Sequence, residues 1–330
     1  EIAAAFAASM AVGLLLGRPI VLWLTKIGVK QTVSADAPAS HAAKQGTPTM
    51  GGIVIIVALA IPIIGAAMIK GNQSRSLILL GLTIAFAGIG FWDDYLIVRR
   101  GKNLGLKARQ KLALQLVFGA IFMAWVHWDA MPGRTTVLMI GSGQIDLGWL
   151  YYPLALLLIV GMSNAVNFTD GLDGLASGVS GLIALALAIS CFAMGSYGWL
   201  HTFGAAIAGA CAAFLWFNWR PAEVFMGDTG SLALGAALSG IAILGKVEVL
   251  FLLFAVIPIA EMVSVLLQVS VFQMRKRSRG IEYARANRLF RRTPLHHHFE
   301  ELDMPETRIV GRFCLATAGS IALAMAIWRF

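Results

Sequence analysis

Long apolar runs alternate with short polar clusters along nearly the whole of this 330-residue chain. The runs lie near residues 3–24, 50–69, 76–92, 112–126, 148–168, 174–195, 198–216, 229–245, 249–271 and 309–328. Most are long enough, as helices rising about 1.5 Å per residue, to cross a hydrocarbon core about 30 Å thick. Hydrocarbon offers no partner to a free backbone amide, and the alternation of a barrel strand is missing, so helices are expected. The pattern predicts an all-α, polytopic integral membrane protein with about ten transmembrane helices. The eighth run, short and rich in Gly and Ala, is the weakest of the ten. The first is too long for a signal-peptide core and is expected to be a true span.

Residues 1–330 read as a single transmembrane domain, with no polar linker long enough to separate two folded units. Residues 95–111 form a basic connector. Residues 272–308 form the largest polar segment, expected to hold a basic amphipathic helix at the membrane surface and then a Pro-led turn with the three histidines. In the stretch 127–147, Pro132, Gly133, Gly141 and Gly143 mark turns or a short hairpin.

Composition excludes a soluble globule: 58% of residues are hydrophobic and 13% charged, and the mean hydropathy is +0.77. Such a surface would be one continuous apolar patch in water. The formal charge of +9 does not point to nucleic acid, because of where it sits. Alternate connections on one side hold nineteen Lys and Arg, among them Lys26, Arg99, Arg109, Arg220 and Arg275, whereas those on the other side hold only Lys70, Arg75, Arg134 and Lys246. The positive-inside rule makes the rich side cytoplasmic and leaves both termini periplasmic. Most of these charges serve orientation and attraction to anionic membrane lipid. Cys191, Cys211 and Cys314 all fall in apolar runs at no useful spacing and read as small hydrophobes.

Five polar clusters remain, and an even number of runs separates each from the next, so all five meet one membrane face, the cytoplasmic one. They are Lys44–Gly52 (KQGTPTMGG), Asp93-Asp94, Asn164–Gly174 (NAVNFTDGLDG), Asn218–Ser231 (NWRPAEVFMGDTGS) and His296–His298. Asp93 and Asp94 end an apolar run. Adjacent helical residues point about 100° apart, so the two carboxylates take different roles. Asn164, Asn167, Asp170 and Asp173 recur every third residue, and Gly171 and Gly174 predict a helix end that turns the last carboxylate back. Such oxygen donors suit Mg²⁺, which takes one or two carboxylates plus substrate phosphate. Asp228 stands between glycines at a helix start, where backbone amides attract phosphate and the carboxylate can hold a cation against it. Asn218 and Phe225 offer an amide and a ring that can read a nucleobase. Lys44 and Thr49 belong to a loop resembling an anion cradle. His296, His297 and His298 diverge too much to share one metal, but suit phosphate binding or proton transfer near neutrality.

Taken in order, KQGTPTMGG, FWDDY, NAVNFTDGLDGLASG, FNWRPAEVFMGDTGS and RRTPLHHHFE closely resemble the motifs of the polyprenyl-phosphate N-acetylhexosamine-1-phosphate transferases. The triple histidine after Pro294 is similar to that of the muramoyl-pentapeptide branch. The resemblance spans about residues 40 to 312. It implies Mg²⁺-dependent transfer of phospho-N-acetylmuramoyl-pentapeptide from UDP-N-acetylmuramoyl-pentapeptide to undecaprenyl phosphate, releasing UMP, in the bacterial inner membrane. It implies Asp93, Asp94 and Asp228 as catalytic acids, with Mg²⁺ near Asp228; on charge grounds Asp94 or Asp173 is expected to share the ion. Lys44, Thr49, Asn167, Asp170, Gly171, Leu172, Asp173, Asn218 and Phe225 match positions lining the nucleotide and phosphate pocket. His296 and His297 match positions beside it, His296 with a catalytic part, and Lys111 matches a basic position. Homodimers are common among such proteins.

Two departures stand out. A Lys often found three residues after the second aspartate of the pair is Ile97 here, with Arg99, Arg100 and Lys102 nearby, and the stretch 273–287 is longer than usual. Two other readings compete. A sister transferase would use UDP-N-acetylglucosamine. A secondary transporter would place its carboxylates near the bilayer midplane and show repeated halves, neither of which the pattern has.

Overall fold

A computed structural model describes residues 1–28, 46–70, 74–100, 105–130 and 135–328. Lys44 lies outside the described residues. The elements in chain order are α1 (Ile2–Lys26), α2 (Gly52–Lys70), α3 (Ser74–Arg100), α4 (Ala108–Trp125), β1 (Val137–Ile140), β2 (Gly143–Asp146), α5 (Tyr151–Thr169), α6 (Leu175–Ala193), α7 (Gly198–Asn218), α8 (Gly227–Gly245), α9 (Glu248–Phe254), α10 (Val256–Arg279), α11 (Ile281–Ala286), α12 (Leu295–Glu300) and α13 (Glu306–Ile327). Ten of these, α1 to α8 with α10 and α13, are long and apolar enough to cross a membrane. The all-α, multi-pass architecture expected from the apolar runs is therefore present. Strands β1 and β2 form an antiparallel hairpin with Val137 opposite Asp146 and Ile140 opposite Gly143, within the stretch marked by turn residues.

The weakest apolar run proves to be the centre of the bundle. Helix α8 is the least apolar of the ten spans and the most enclosed, with every residue from Thr229 to Gly245 buried. A helix surrounded by protein need not be strongly hydrophobic, and small side chains let its neighbours come close. A Cβ on Gly90 of α3 would lie 2.1 Å from the Asp228 carbonyl oxygen, and one on Gly52 of α2 would lie 2.2 Å from the Gly230 nitrogen. Two turns further along α8, a Cβ on Gly235 would meet the Met162 carbonyl of α5 at 2.4 Å. The first two approaches fix where the first turn of α8 stands.

Two expectations need correction. The ninth run is not one helix, because α9 ends at Phe254 and α10 begins at Val256. Pro258 has no N–H to give to the Phe254 carbonyl, and its ring crowds that position, which favours a break here, although Pro19 and Pro62 stand inside the unbroken helices α1 and α2. The second correction concerns residues 272–308. The basic stretch through Arg279 continues α10 rather than starting an interfacial helix, and Gly280, at φ +89°, ends it. The separate helix that follows, α11, has only six residues. The histidines sit on their own short helix, α12, entered from Pro294.

Candidate active site

Helix α3 ends in a charged segment, and the side chains of Asp93 and Asp94 diverge from it as their helical spacing requires. Asp93 is buried; its Oδ1 accepts a 2.6 Å hydrogen bond from the Leu106 N–H, and its Oδ2 lies 3.2 Å from the Lys111 ammonium. Gly105 passes so close to this carboxylate that a Cβ there would stand 2.5 Å from Oδ1. Lys111, in the first turn of α4, also pairs with Asp228 Oδ2. The other oxygen of Asp228 accepts from Asn167 Nδ2 at 2.7 Å, and the same amide nitrogen reaches Ser231 Oγ at 3.0 Å. Asp93, Lys111, Asp228 and Asn167 thus meet at one point, supplied by α3, α4, α8 and α5. In a bundle interior, two carboxylates this close need a cation between them, and Lys111 is that cation.

Asp94 faces the other way. Its carboxylate accepts from the backbone N–H of Asp228 at 3.1 Å, and from Thr229 through both the N–H at 3.0 Å and Oγ1 at 2.7 Å. Asp170 Oδ2 accepts from the Gly227 N–H at 3.1 Å. The amides at the start of α8, expected to cradle a phosphate, are therefore occupied by two aspartates of this chain. A carboxylate suits a helix N-terminus for the reason a phosphate does: it meets free N–H groups and the positive end of the dipole. Gly227 adopts φ +71°, and a Cβ on it would stand 2.7 Å from Asp94 Oδ2 and 2.9 Å from Thr49 Oγ1. Thr49 thereby joins the site. Its loop is tied to the α8 entrance by three backbone bonds: the Phe225 N–H to Pro48 O at 2.9 Å, the Gly51 N–H to Phe225 O at 2.8 Å and the Gly52 N–H to Met226 O at 2.9 Å.

Helix α5 stops at Thr169, and the turn through Gly174, at φ +80°, redirects the chain as the glycines predicted. The redirection carries Asp173 toward α13. Its N–H donates to Glu306 Oε1 at 2.7 Å, and its Oδ2 accepts from the Ala222 N–H at 3.3 Å. Glu306 in turn pairs with Arg220. Leu172 is buried beside this turn. Asn218 is buried as well, with Nδ2 donating to Val224 O at 2.9 Å and Oδ1 accepting from the Gly174 N–H at 3.0 Å. It staples two loops together, so its amide is turned inward rather than toward a base. Phe225 is half-buried at the loop junction. Asn164 is displaced from the cluster, as its Nδ2 reaches Gln115 of α4 at 2.9 Å and the Val160 carbonyl at 2.8 Å.

Among the described residues, no group of three or more His, Cys, Asp or Glu side chains is arranged to hold a metal ion. The set Asp228, Asp94 and Asp173 is not assembled as a ready ligand shell, because Asp94 caps α8 and Asp173 faces α13. The oxygen donors that do converge on a positive charge are those of Asp93 and Asp228.

The three histidines diverge along α12. His296 is buried against Gly171, where a Cβ would lie 2.0 Å from its Nε2, and Glu261 of α10 stands on its other side. His297 Nδ1 lies 2.6 Å from Glu300 Oε2, and burial holds its imidazole below the ordinary histidine pKa despite that carboxylate. His298 Nδ1 accepts from the Arg291 N–H at 3.2 Å. Motif reading missed Ser231, Thr229, Glu306, Arg220 and the Leu106 amide. Ser231 and Thr229 sit one turn and one residue from Asp228, a spacing that signals a shared helix start. The contacts of Leu106, Arg220 and Glu306 join distant parts of the chain and leave no local signal.

Residues 76–246 match the model of glycosyl transferase family 4, and residues 44–56 match signature 1 of phospho-N-acetylmuramoyl-pentapeptide-transferase. A protein of that name from Gemmatimonas aurantiaca is 42% identical, over 94% of this chain and 88% of its own length. Namesakes from Heliobacterium modesticaldum (41% identical, over 97% of this chain and 96% of their own) and Moorella thermoacetica (43% identical, over 95% and 94%) agree over nearly the whole sequence. With ten spans, five motifs gathered around the entrance of α8 and this likeness along its length, the chain belongs to the phospho-N-acetylmuramoyl-pentapeptide-transferase family of membrane enzymes.

Proposed function

We propose that this enzyme transfers phospho-N-acetylmuramoyl-pentapeptide from UDP-N-acetylmuramoyl-pentapeptide to undecaprenyl phosphate at the cytoplasmic face of the bacterial inner membrane. A phosphate oxygen of the lipid attacks the β-phosphorus of the donor. The bond from that phosphorus to the oxygen bridging the two phosphates breaks, and UMP leaves with the bonding pair. The observation that carries the reading is the convergence of Asp93, Lys111, Asp228 and Asn167 beside the loops of the family signature.

Both reactants are anions, so bringing them together is the main electrostatic difficulty. The ammonium of Lys111 is placed to lie beside the donor's diphosphate, and Asn167 holds Asp228 in its rotamer. Hard oxygen donors fit Mg²⁺, and Asp228 with Asp93 would hold it. Bound there, the ion supplies charge neutralisation of the diphosphate and of the departing UMP. Asp94 acts on Asp228 through the backbone, by fixing the first turn of α8. Asp93 is positioned to take a proton from a monoanionic lipid phosphate. The second pKa of such a phosphate is about 6, so much of the lipid already lacks that proton at neutrality. Positioning therefore outweighs base catalysis. Inversion at phosphorus with a chiral donor supports direct transfer, whereas retention indicates a phospho-aspartate route.

The test is UMP release by detergent-solubilised protein given undecaprenyl phosphate and either UDP-N-acetylmuramoyl-pentapeptide or UDP-N-acetylglucosamine. Release with the first donor alone is expected. Release with the second alone would assign the chain to the sister reaction, and release with neither would remove the proposal.

A further inference from the structure

Beneath the triple histidine lies a carboxylate to which the transfer reaction gives no part. Glu261, in the second turn of α10, is completely buried inside a candidate span, where an ionised side chain is costly unless it is paired. Its neighbour is His296, itself 1% exposed. The His296 backbone N–H points at both carboxylate oxygens, at 3.1 and 3.3 Å, and Nδ1 of the ring lies 3.1 Å from Oε1. Anchoring α12 on α10 needs only the backbone contact. The approach of the ring nitrogen is additional and is not yet aligned as a hydrogen bond, a common state of catalytic contacts before substrate arrives. Across the ring, Nε2 has no hydrogen-bond partner among the described residues and stands against Gly171, where a side chain would collide with it.

One neighbouring imidazole also has a carboxylate at Nδ1, and the other does not. His297 is tied through Nδ1 to Glu300, and its ring centroid lies 4.2 Å from that of His296. His298 instead accepts through Nδ1 from a backbone amide. A carboxylate partner places a proton on Nδ1, whereas an amide partner requires a bare Nδ1. On this pattern the proton would sit on Nδ1 of His296 and of His297, whereas His298 would leave Nδ1 bare.

We propose that Glu261 is a positioning residue for His296. Its carboxylate keeps a proton on Nδ1 and fixes the ring with Nε2 facing the Gly171–Leu172 turn, where Nε2 in its protonated form would donate to the diphosphate of the donor. The proposal rests on the transferase reading above for the identity of that ligand.

Glu261→Gln keeps the volume and an acceptor oxygen for the backbone N–H but removes the charge. We expect it to lower kcat for UMP release roughly tenfold, as loss of an orienting carboxylate does elsewhere, with KM for the donor within about twofold. In a His296→Gln background the same change should cost less than about twofold, because residues acting through one another are not additive. Equal losses in both backgrounds, or no loss in the first, would overturn the proposal. The ¹⁵N ring resonances of His296 in unmodified protein, assigned by comparison with His296→Gln, decide the matter without activity or a folded Glu261 variant: a protonated Nδ1 is expected, and a bare Nδ1 overturns it. Failure of the unmodified protein to release UMP would count against the transferase reading alone, since the tautomer measurement stands apart from it.

Discussion

Lys111 stands between Asp93 and Asp228 at the point where α3, α4, α5 and α8 come together. The aspartates were legible as chemistry in the sequence, because carboxylates at the ends of apolar helices are costly without a purpose. Their separate duties were not legible. Adjacent positions on a helix predict only that Asp93 and Asp94 diverge, and which one meets Lys111 depends on α4 and α8. Phosphate attraction by the α8 amides was a sound expectation from a helix start, but Asp94 and Asp170 already fill that role. At this scale a pH dependence follows from His297. Its folded pKa lies below the ordinary value of about 6.5, so the unfolded chain takes up the proton first as pH falls. The stability tied to the neutral ring is present above that value and is lost as pH drops through it. Between pH about 7.5 and 5.5, the unfolding midpoint of the unmodified protein should fall more than that of His297→Gln; equal falls would contradict the assignment.

Helices α3 and α8 form the frame that carries the site. Gly90 admits the Asp228 carbonyl, and Asp94 closes the first turn of α8 from outside that helix. An N-cap donated by a different helix couples packing to catalysis, because α8 cannot shift without moving Asp228. Asp94→Ala should lower stability by about 0.5–2 kcal/mol, the usual worth of an N-cap, and should reduce turnover far more than that loss of fold explains. Thermal unfolding in detergent, read beside UMP release, checks both halves; full turnover with an unchanged midpoint would refute the coupling. Element positions followed closely from apolar run length. The eighth run looked doubtful because hydropathy reports contact with lipid, and α8 touches protein almost everywhere. The break between α9 and α10 lies just before Pro258, but a proline alone does not announce it, because Pro19 and Pro62 stand inside unbroken helices. The length of α10 beyond the apolar run escaped because a polar helix end has no apolar signal.

Across the whole molecule, the even number of spans between motifs was the strongest feature of the sequence. It places residues 46–52, 93–94, 164–174, 218–231 and 296–298 together, and their contacts are those of one site. The asymmetry of Lys and Arg adds a direction. A cysteine replacing the exposed Ser278 should react with an impermeant thiol reagent only from the cytoplasmic side, and one replacing the exposed Ser142 in the hairpin only from the periplasmic side. Labelling of both from one side would reverse or abolish the proposed orientation. What no reading of runs can supply is the chemistry at their junction, which in the proposed reaction rests on Asp228 more than on any other residue. Its most direct test is UMP release by Asp228→Asn across a titration of Mg²⁺, beside the unmodified protein. A fall of about a thousandfold that saturating Mg²⁺ does not restore is the predicted result, and near-normal turnover by the variant would contradict it.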